Sequence, residues 1–323
     1  MERISRRLFG KKACQTGGAL MAATALDSVL RATNIATGDE NLSDPSAPLP
    51  TVRWGEHDIS RILVGHNPIK GGSHLTRELS REMGDFHRDS RRGLELLLRC
   101  RQCGINTCQI GGTAMESLLR QYYETGQDMK WIPTFYSSPG AKAKEELKRI
   151  LQMRPRPIGI QHFGGTTDRL MTQGKLDEAQ ETLKMCRDAG LMVGLCTHNH
   201  EVIDYAANRD WDVDFYMGSF YRVSYDIRNT GRAAPKSPGE EYFEEEARKG
   251  MIHTIRQVDK PCIAFKVLGA GRHCKTQESV RRAIQYTFDM IKPTDVVLLG
   301  MWQKHRDQVG EDTKYAIESM KQS

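Results

Sequence analysis

Residues 94–109 read LELLLRCRQCGINTCQ, which joins a helical pattern to a strand pattern through a single glycine. The leucines and cysteines recur at the spacing that places them on one helix face, and this predicts a helix over Arg91–Cys103. Gly104 is typical of a helix end, and Thr107–Ile110 is a short run of strand length. The stretch therefore predicts one helix-to-strand unit of an α/β protein.

The same alternation continues on both sides of this unit. Eight segments have strand character: Arg61–Gly65, Thr107–Ile110, Trp131–Phe135, Pro157–His162, Met192–Thr197, Phe215–Gly218, Pro261–Val267 and Val296–Gly300. Seven segments have helical periodicity: Arg91–Cys103, Met115–Thr125, Lys142–Met153, Leu176–Ala189, Glu240–Gln257, Glu278–Ile291 and Lys304–Lys321. Short apolar strands that alternate with amphipathic helices are typical of parallel sheets covered by helices.

A closed parallel barrel fits this pattern better than an open, doubly wound sheet. An open dinucleotide-binding sheet has a Gly-x-Gly-x-x-Gly turn after its first strand. The pairs Gly71-Gly72 and Gly111-Gly112 do not have that spacing. A (β/α)8 TIM barrel needs about 250 residues, so the sequence predicts an α/β fold with one such barrel over residues 51–323.

The composition is that of an ordinary globular protein, with 38% hydrophobic and 27% charged residues. This balance excludes a collagen-like chain and wholesale disorder. The longest apolar run, Gly18–Leu26, is about half of the roughly 18–20 residues that a membrane-spanning helix needs, so we predict no membrane span. The formal net charge of +6 would favour an acidic partner such as nucleic acid only if it lay on the folded surface.

Most of that positive charge lies in an N-terminal segment of the export-signal type. Residues 5–12 read SRRLFGKK and precede a short stretch of small apolar residues, which resembles a twin-arginine (Tat) signal. We predict a signal peptide over residues 1–36, cleaved after Ala25 or Ala36, and a proline-containing linker over residues 37–50. Loss of residues 1–36 would remove most of the excess charge. We therefore expect the Tat machinery rather than nucleic acid as a partner, and a periplasmic location.

Several segments resemble aldo-keto reductases. Thr51–Gly65 (TVRWGEHDISRILVG) looks like the hairpin and first strand that open members of that family, and residues 94–109 look like their first helix and second strand. His162 at a strand end and Ala264–Arg272 (AFKVLGAGR) at the seventh strand also match. The resemblance extends from Thr51 to Ile317. It implies the family's barrel fold, with an active site at the carboxyl ends of the strands.

The catalytic residues of that family are mostly absent. Its members transfer hydride from NADPH with an Asp, Tyr, Lys, His tetrad, in which the Tyr protonates the carbonyl oxygen. In this chain the Asp position falls on Gln109, the Tyr position on Ala114 and the Lys position on Phe135 or Tyr136, and only His162 remains. A positioned acid contributes on the order of 10²–10⁴-fold to a rate, so ordinary carbonyl reduction is disfavoured.

NADP binding stays an alternative prediction. Phe265 is aromatic where the family stacks an aromatic ring on nicotinamide, and Gln109 and Tyr136 lie at the ends of other strands. The resemblance makes these three the candidate cofactor-binding residues. Tyr136 or His162 would then replace the missing Tyr in an NADP-dependent oxidoreductase.

Histidines that follow the strands suggest a second chemistry. Residues two apart in an extended segment face the same side, so His198 and His200 could reach one point in the barrel mouth. His162 from the neighbouring strand would be a third ligand. Three protein ligands with an open position are typical of a catalytic zinc site. One hypothesis is therefore a divalent metal held by these three residues, and the other is acid/base work by the same imidazoles.

Lys266 and His66 are further candidates. Lys266 lies in an apolar strand pattern, and if it faces the mouth it would stabilise negative charge on a substrate oxygen, with a Schiff base as the less favoured role. His66 follows the first barrel strand and precedes a Gly-rich loop, Asn67–Asp89, which we predict to be a mobile lid. Arg222–Pro238 is a second candidate lid.

Together these features predict an exported enzyme that acts on a small polar carbonyl or carbohydrate compound by proton transfer, as an isomerase or lyase, with or without a divalent metal. The candidate catalytic residues are His162, His198, Lys266 and His66. Two alternatives are an NADP-dependent oxidoreductase with a rebuilt acid and a non-catalytic barrel that binds a sugar or a protein. The sequence predicts no oligomeric state.

Overall fold

The computed structural model describes residues 45, 47–221, 223–224 and 242–322. The predicted signal peptide and most of the predicted linker lie outside the described residues, as does the predicted lid over Arg222–Pro238 apart from Val223 and Ser224. Within the described part of the chain, no helix is long and apolar enough to cross a lipid bilayer.

Eight parallel strands close into a barrel, which confirms the predicted number of strands and their positions. The barrel strands are β3 Ile62–Gly65, β4 Thr107–Ile110, β5 Lys130–Phe135, β6 Gly159–His162, β7 Met192–Thr197, β8 Phe215–Ser219, β11 Cys262–Phe265 and β12 Val296–Leu299. Their order around the barrel is β3-β4-β5-β6-β7-β8-β11-β12, and β12 pairs with β3. Two short antiparallel pairs lie outside it: β1 Thr51–Trp54 with β2 His57–Ser60, and β9 Val223–Ser224 with β10 Tyr242–Phe243.

Alternate residues of each strand fill the barrel and contact the helices. On β8, Phe215 and Met217 belong to the cluster inside the barrel, whereas Tyr216 belongs to the layer between strands and helices. Trp54 of the β1–β2 hairpin stacks on Phe215, with ring centroids 5.3 Å apart, and so closes the amino end of the barrel. Gly194 on β7 is required here because a Cβ at that position would overlap the Phe215 ring.

Ten α-helices are described, and they include all seven predicted ones with shifts at their ends. Their bounds are α1 Arg77–Phe86, α2 Ser90–Gln102, α3 Glu116–Glu124, α4 Ala141–Gln152, α5 Gly164–Thr172, α6 Asp177–Asp188, α7 His200–Ala207, α8 Glu245–Gln257, α9 Gln277–Met290 and α10 Gln308–Gln322. Helices α1, α5 and α7 were not predicted from the sequence. The predicted loop Asn67–Asp89 thus contains α1, which begins where the Thr76 side chain accepts a hydrogen bond from the Leu79 N–H, and a short 3-10 turn over Pro68–Lys70.

Candidate active site

The carboxyl ends of the barrel strands open into a cavity of about 700 Å³. Helix α1 covers part of its mouth, with Leu79 and Met83 on the cavity wall. Glu82 of the same helix accepts hydrogen bonds from Lys304 at 2.6 Å and from His305 at 3.1 Å, which ties α1 to the segment after β12. The helix therefore gives the cavity a partial cover that is attached to the segment after β12.

The floor of the cavity is polar on one side and apolar on the other. Three adjacent strands, β4, β5 and β6, contribute Gln109, Thr134 and Gln161. On the opposite side the wall is formed by apolar side chains, namely Met217, Phe265 and Leu298. A ligand with one polar edge and one apolar face would match this division.

A chain of hydrogen bonds on the polar side fixes the proton on His66. The Gln109 Nε2 group donates to the Ile110 carbonyl at 3.2 Å and to the Thr134 hydroxyl at 2.6 Å. A carbonyl oxygen can only accept, so the other end of the amide, Oε1, faces His66 Nδ1 at 2.9 Å. His66 Nδ1 is therefore the donor, and Nε2 of the neutral ring carries a lone pair.

The surroundings of His66 suit a base. Burial lowers its pKa below the ordinary value of 6.5, although the hydrogen bond to Gln109 acts in the opposite direction. Gly111 leaves space beside the imidazole: a Cβ there would lie 2.7 Å from His66 Nε2 and 3.1 Å from the Tyr136 hydroxyl. His66 Nε2 and the Tyr136 hydroxyl thus both pack close to Gly111.

A second imidazole, that of His198, is oriented by a carboxylate. Asp168 of α5 accepts hydrogen bonds from His198 Nδ1 at 2.7 Å and from the Thr197 hydroxyl at 2.5 Å. The backbone N–H of His198 also donates to this carboxylate, at 3.2 Å. With its Nδ1 proton held by Asp168, His198 has Nε2 as the ring atom available to a ligand, and its ring lines the cavity.

Asp168 was not predicted from the sequence, because the segment GGTTD after β6 has the composition of a loop. Helix α5 begins at Gly164, where a side chain would be crowded by the end of β7 and the residue after it. A Cβ at Gly164 would lie 3.0 Å from Cys196 Sγ and 3.3 Å from His198 Cε1. The close approach of α5 to the end of β7 is what brings the carboxylate to the imidazole.

Lys266 lines the cavity as predicted, but from a loop. Strand β11 ends at Phe265, and Lys266 follows it with a φ of 56°, in the left-handed region. That conformation is uncommon for a residue other than glycine and turns the chain sharply. Burial raises the pKa of the Cys196 thiol, and the positive charge of Lys266 acts against that rise.

The structure does not bring the three predicted metal ligands, His162, His198 and His200, together. His200 is the first residue of α7, where Asn199 caps the helix by accepting from the Glu201 N–H, and its ring contacts Asp204 at 3.4 Å. The extended geometry that would place it beside His198 therefore ends before it. Across the described residues, no group of three or more His, Cys, Asp or Glu side chains could hold a metal ion.

His162 also differs from its predicted position as a catalytic residue or ligand. It follows Gln161 on β6, and because alternate strand residues face opposite sides, Gln161 faces the cavity while His162 points toward α5. Its Nδ1 lies 2.8 Å from the Thr167 hydroxyl, and burial lowers its pKa to about 4. His162 is therefore a neutral packing residue that does not line the cavity.

The three predicted cofactor-binding residues, Phe265, Gln109 and Tyr136, all line the cavity. Phe265 is 8% exposed, and the ring of His198 meets it edge-on with centroids 5.3 Å apart. Gln109 uses its amide to hold His66 and Thr134. Whether these residues bind NADP stays a prediction.

Comparison with known proteins finds solved structures of low identity and low structural similarity. No family model and no curated protein matches the chain. Orotidine 5'-monophosphate decarboxylase from Methanocaldococcus jannaschii is similar in structure, with 11% identity, a TM-score of 0.44, and coverage of 84% of this chain and 98% of that one. An archaeal fructose-1,6-bisphosphate aldolase has 11% identity, a TM-score of 0.45, and coverage of 80% and 92%.

A third similar structure is an endo-β-1,3-glucanase of family GH128 from Amycolatopsis mediterranei, with 9% identity, a TM-score of 0.38, and coverage of 68% and 92%. At these identities and scores the likeness carries no argument about this chain. The resemblance to aldo-keto reductases stays a prediction. The chain is an α/β protein with an eight-stranded parallel barrel.

Proposed function

We propose that this protein is an enzyme that transfers a proton next to the carbonyl group of a small polar carbonyl or carbohydrate compound, in a reaction of isomerase or lyase type. One observation carries the proposal. Two imidazoles line the same cavity, and each has its Nδ1 atom held by a fixed acceptor, Gln109 for His66 and Asp168 for His198. Each ring is thereby left with Nε2 for proton exchange with a ligand.

The proposed reaction needs a base, an acid and a positive charge. His66 Nε2 takes the proton from the carbon beside the carbonyl, because its ring is neutral at pH 7. The electron pair of the broken C–H bond moves onto the carbonyl oxygen, and the ammonium group of Lys266 stabilises the negative charge that develops there. His198, protonated at Nε2 at the start of the reaction, then gives that proton to the neighbouring carbon or oxygen in an isomerisation, or to the leaving group in an elimination. Proton exchange with water afterwards returns His66 to its neutral form and His198 to its protonated form.

The experiment is hydrogen–deuterium exchange by NMR, with hydroxy carbonyl compounds from dihydroxyacetone to the aldohexoses incubated with the enzyme in D₂O. We expect deuterium to enter the carbon beside the carbonyl of at least one compound, and His198→Asn to slow this on the order of 10²-fold or more. His57→Asn is the matched control, since His57 lies on β2 in the hairpin that closes the opposite end of the barrel. Absence of exchange with every compound would refute the proposal.

The metal-assisted and nicotinamide versions are separated with the same samples. Exchange that stops on treatment with a chelator and returns with one divalent metal supports a metal-assisted reaction. Oxidation of NADPH coupled to carbonyl reduction would replace the proposal with an oxidoreductase. Binding of a sugar without exchange or reduction would leave the non-catalytic barrel.

We also propose that the protein is exported by the Tat route to the periplasm. The supporting observation is the SRRLFGKK sequence over residues 5–12. The test is fractionation of cells that express the full chain, beside a variant with Arg6→Lys and Arg7→Lys. Export of the wild type that the double substitution blocks would support the proposal, and equal export of both would contradict it.

A further inference from the structure

The rim of the cavity carries two neighbouring aromatic side chains. Tyr136 follows β5 and is 42% exposed, and Phe163 follows β6 and is 39% exposed. Their ring centroids are 4.9 Å apart, and both residues line the cavity. Among the described residues only one other large hydrophobic side chain is exposed, Tyr123 on α3. Exposed aromatic surface of this kind is therefore concentrated where a ligand enters.

The floor below this rim contains a buried acceptor that lacks a donor. Gln161 is 3% exposed and lines the cavity, and its Nε2 group donates to the Thr134 hydroxyl at 2.7 Å. Its carbonyl oxygen, Oε1, has no hydrogen-bond partner among the described residues. A buried acceptor without a donor is unfavourable. This oxygen has less than 1 Å² of accessible surface, so a ligand O–H group gains a hydrogen bond here when the Gln161 side chain turns its oxygen toward the cavity.

We propose that the substrate is a neutral carbohydrate, whose ring packs on the aromatic pair Tyr136 and Phe163 while one of its hydroxyl groups donates to Gln161 Oε1. A sugar ring has hydroxyl groups along its edge and C–H groups on its faces. The hydroxyl edge matches the polar side of the floor, and the C–H face matches the negative faces of aromatic rings. The inference rests on the proposed function, since it takes the same cavity as the active site.

Two backbone N–H groups of the loop after β11 are not available to a phosphate group. Many barrels bind phosphate with backbone N–H groups after the seventh and eighth strands. Here the N–H of Gly269 donates to the Lys266 carbonyl at 2.8 Å, and the N–H of Gly271 donates to the Leu268 carbonyl at 3.1 Å. These two amides are already paired within the loop.

The test is equilibrium binding by calorimetry, which needs no turnover. D-glucose, D-galactose, D-mannose and D-xylose are titrated at millimolar concentration, and then each monodeoxy derivative of the sugar that binds most tightly. We expect one monodeoxy derivative to bind about tenfold or more weakly to the wild type. In Gln161→Met, which keeps the length of the side chain, this derivative and its parent should bind equally. Gln173→Met, at the exposed end of α5, is the control.

The aromatic pair has its own matched variants. Phe163→Ser leaves a good N-cap for α5, so the helix is preserved while the ring is removed. We expect it to weaken sugar binding about tenfold, whereas Tyr123→Ser, which removes the exposed aromatic on α3, should leave binding unchanged. If Gln161→Met does not fold, Thr134→Val removes the hydroxyl that holds the Gln161 amide and should reduce the same discrimination.

Three results would overturn this inference: no sugar binds the wild type, Gln161→Met keeps the full discrimination between parent and monodeoxy sugar, or glucose 6-phosphate binds about tenfold more tightly than glucose. Failure of the inference and failure of the proposed function are distinguishable. Deuterium exchange on a carbonyl compound together with unchanged discrimination in Gln161→Met contradicts only the inference. Selective sugar binding without exchange contradicts only the proposed reaction.

Discussion

A buried ion pair joins α2 to the segment that carries part of the cavity wall, and its removal gives a quantitative prediction. Arg99 donates to Asp307 through Nη2 at 2.7 Å and Nε at 3.2 Å, and the two side chains are 6% and 7% exposed. In Arg99→Met the carboxylate keeps only Gln303 and the Gly310 N–H as donors. Because a charge left unpaired in the interior costs about 3–5 kcal/mol, we expect a loss of that size in the free energy of unfolding.

Thermal and urea unfolding, followed by circular dichroism at pH 7, measure this loss. At roughly 2–4 °C per kcal/mol for a domain of this size, Tm should fall on the order of 10 °C. The control is Arg101→Met on the same helix. Arg101 pairs with Asp128 at 3.0 Å, with side chains 36% and 75% exposed, so its loss should cost less than about 1 kcal/mol.

The loss of stability in Arg99→Met should depend on pH, because the pKa of Asp307 is shifted in the folded protein. Burial acts to raise the pKa of Asp307, but hydrogen bonds from Arg99 and Gln303 outweigh it and hold the pKa below its ordinary value of 3.8. A carboxylate with a depressed pKa stabilises the fold above that value and loses this contribution as the pH falls through its folded pKa. The difference in the free energy of unfolding between wild type and Arg99→Met should therefore become smaller below about pH 4. A folded Arg99→Met protein that loses less than about 1 kcal/mol at pH 7 would refute the reasoning.

Three further predictions concern single groups. Asp168→Asn should slow deuterium exchange on the order of 10²-fold or more, because the asparagine amide no longer fixes the Nδ1 proton of His198. An exchange rate within threefold of wild type would contradict this prediction. Burial holds the pKa of His66 under 6.5, and the exchange rate should fall as the pH drops below that pKa. An exchange rate that increases as the pH is lowered below 5 would contradict a neutral His66 base. Burial raises the pKa of Asp312 to about 8, so between pH 4 and 8 the folded state keeps a proton that the unfolded state has lost. The free energy of unfolding should therefore decrease as the pH rises from 4 to 8. Asp312→Asn should raise Tm at pH 8 and have little effect on Tm at pH 4.

The barrel was predictable because its signal is periodic. Each barrel strand is a short apolar run between turn residues, and most helices repeat every three to four residues. Helix α5 lacked that signal because it begins with Gly164-Gly165, and glycine is a poor helix former. Gly164 lies where α5 approaches Cys196 and His198. The carboxylate of Asp168 could not be found without that helix.

The candidate site was predicted in part. His66, His198 and Lys266 do line the mouth, because residues at the carboxyl ends of barrel strands meet there. The direction of His162 could not be decided from the sequence, since barrel strands are buried on both faces and have no polar side to mark. For His200, the signal was present: Asn199 is a favoured N-cap residue, which indicates that a helix rather than a strand continues.

The most direct test of the central claim is the rate of deuterium exchange in the double variant His66→Asn/His198→Asn, beside both single variants. Groups that act in one proton-transfer reaction have strongly non-additive effects, because removing the first already disables the step in which the second takes part. We predict that both single variants lose on the order of 10²-fold or more, and that the double variant exchanges at about the rate of the slower single variant. Exchange at the wild-type rate in the double variant would contradict the assignment of these two imidazoles as base and acid.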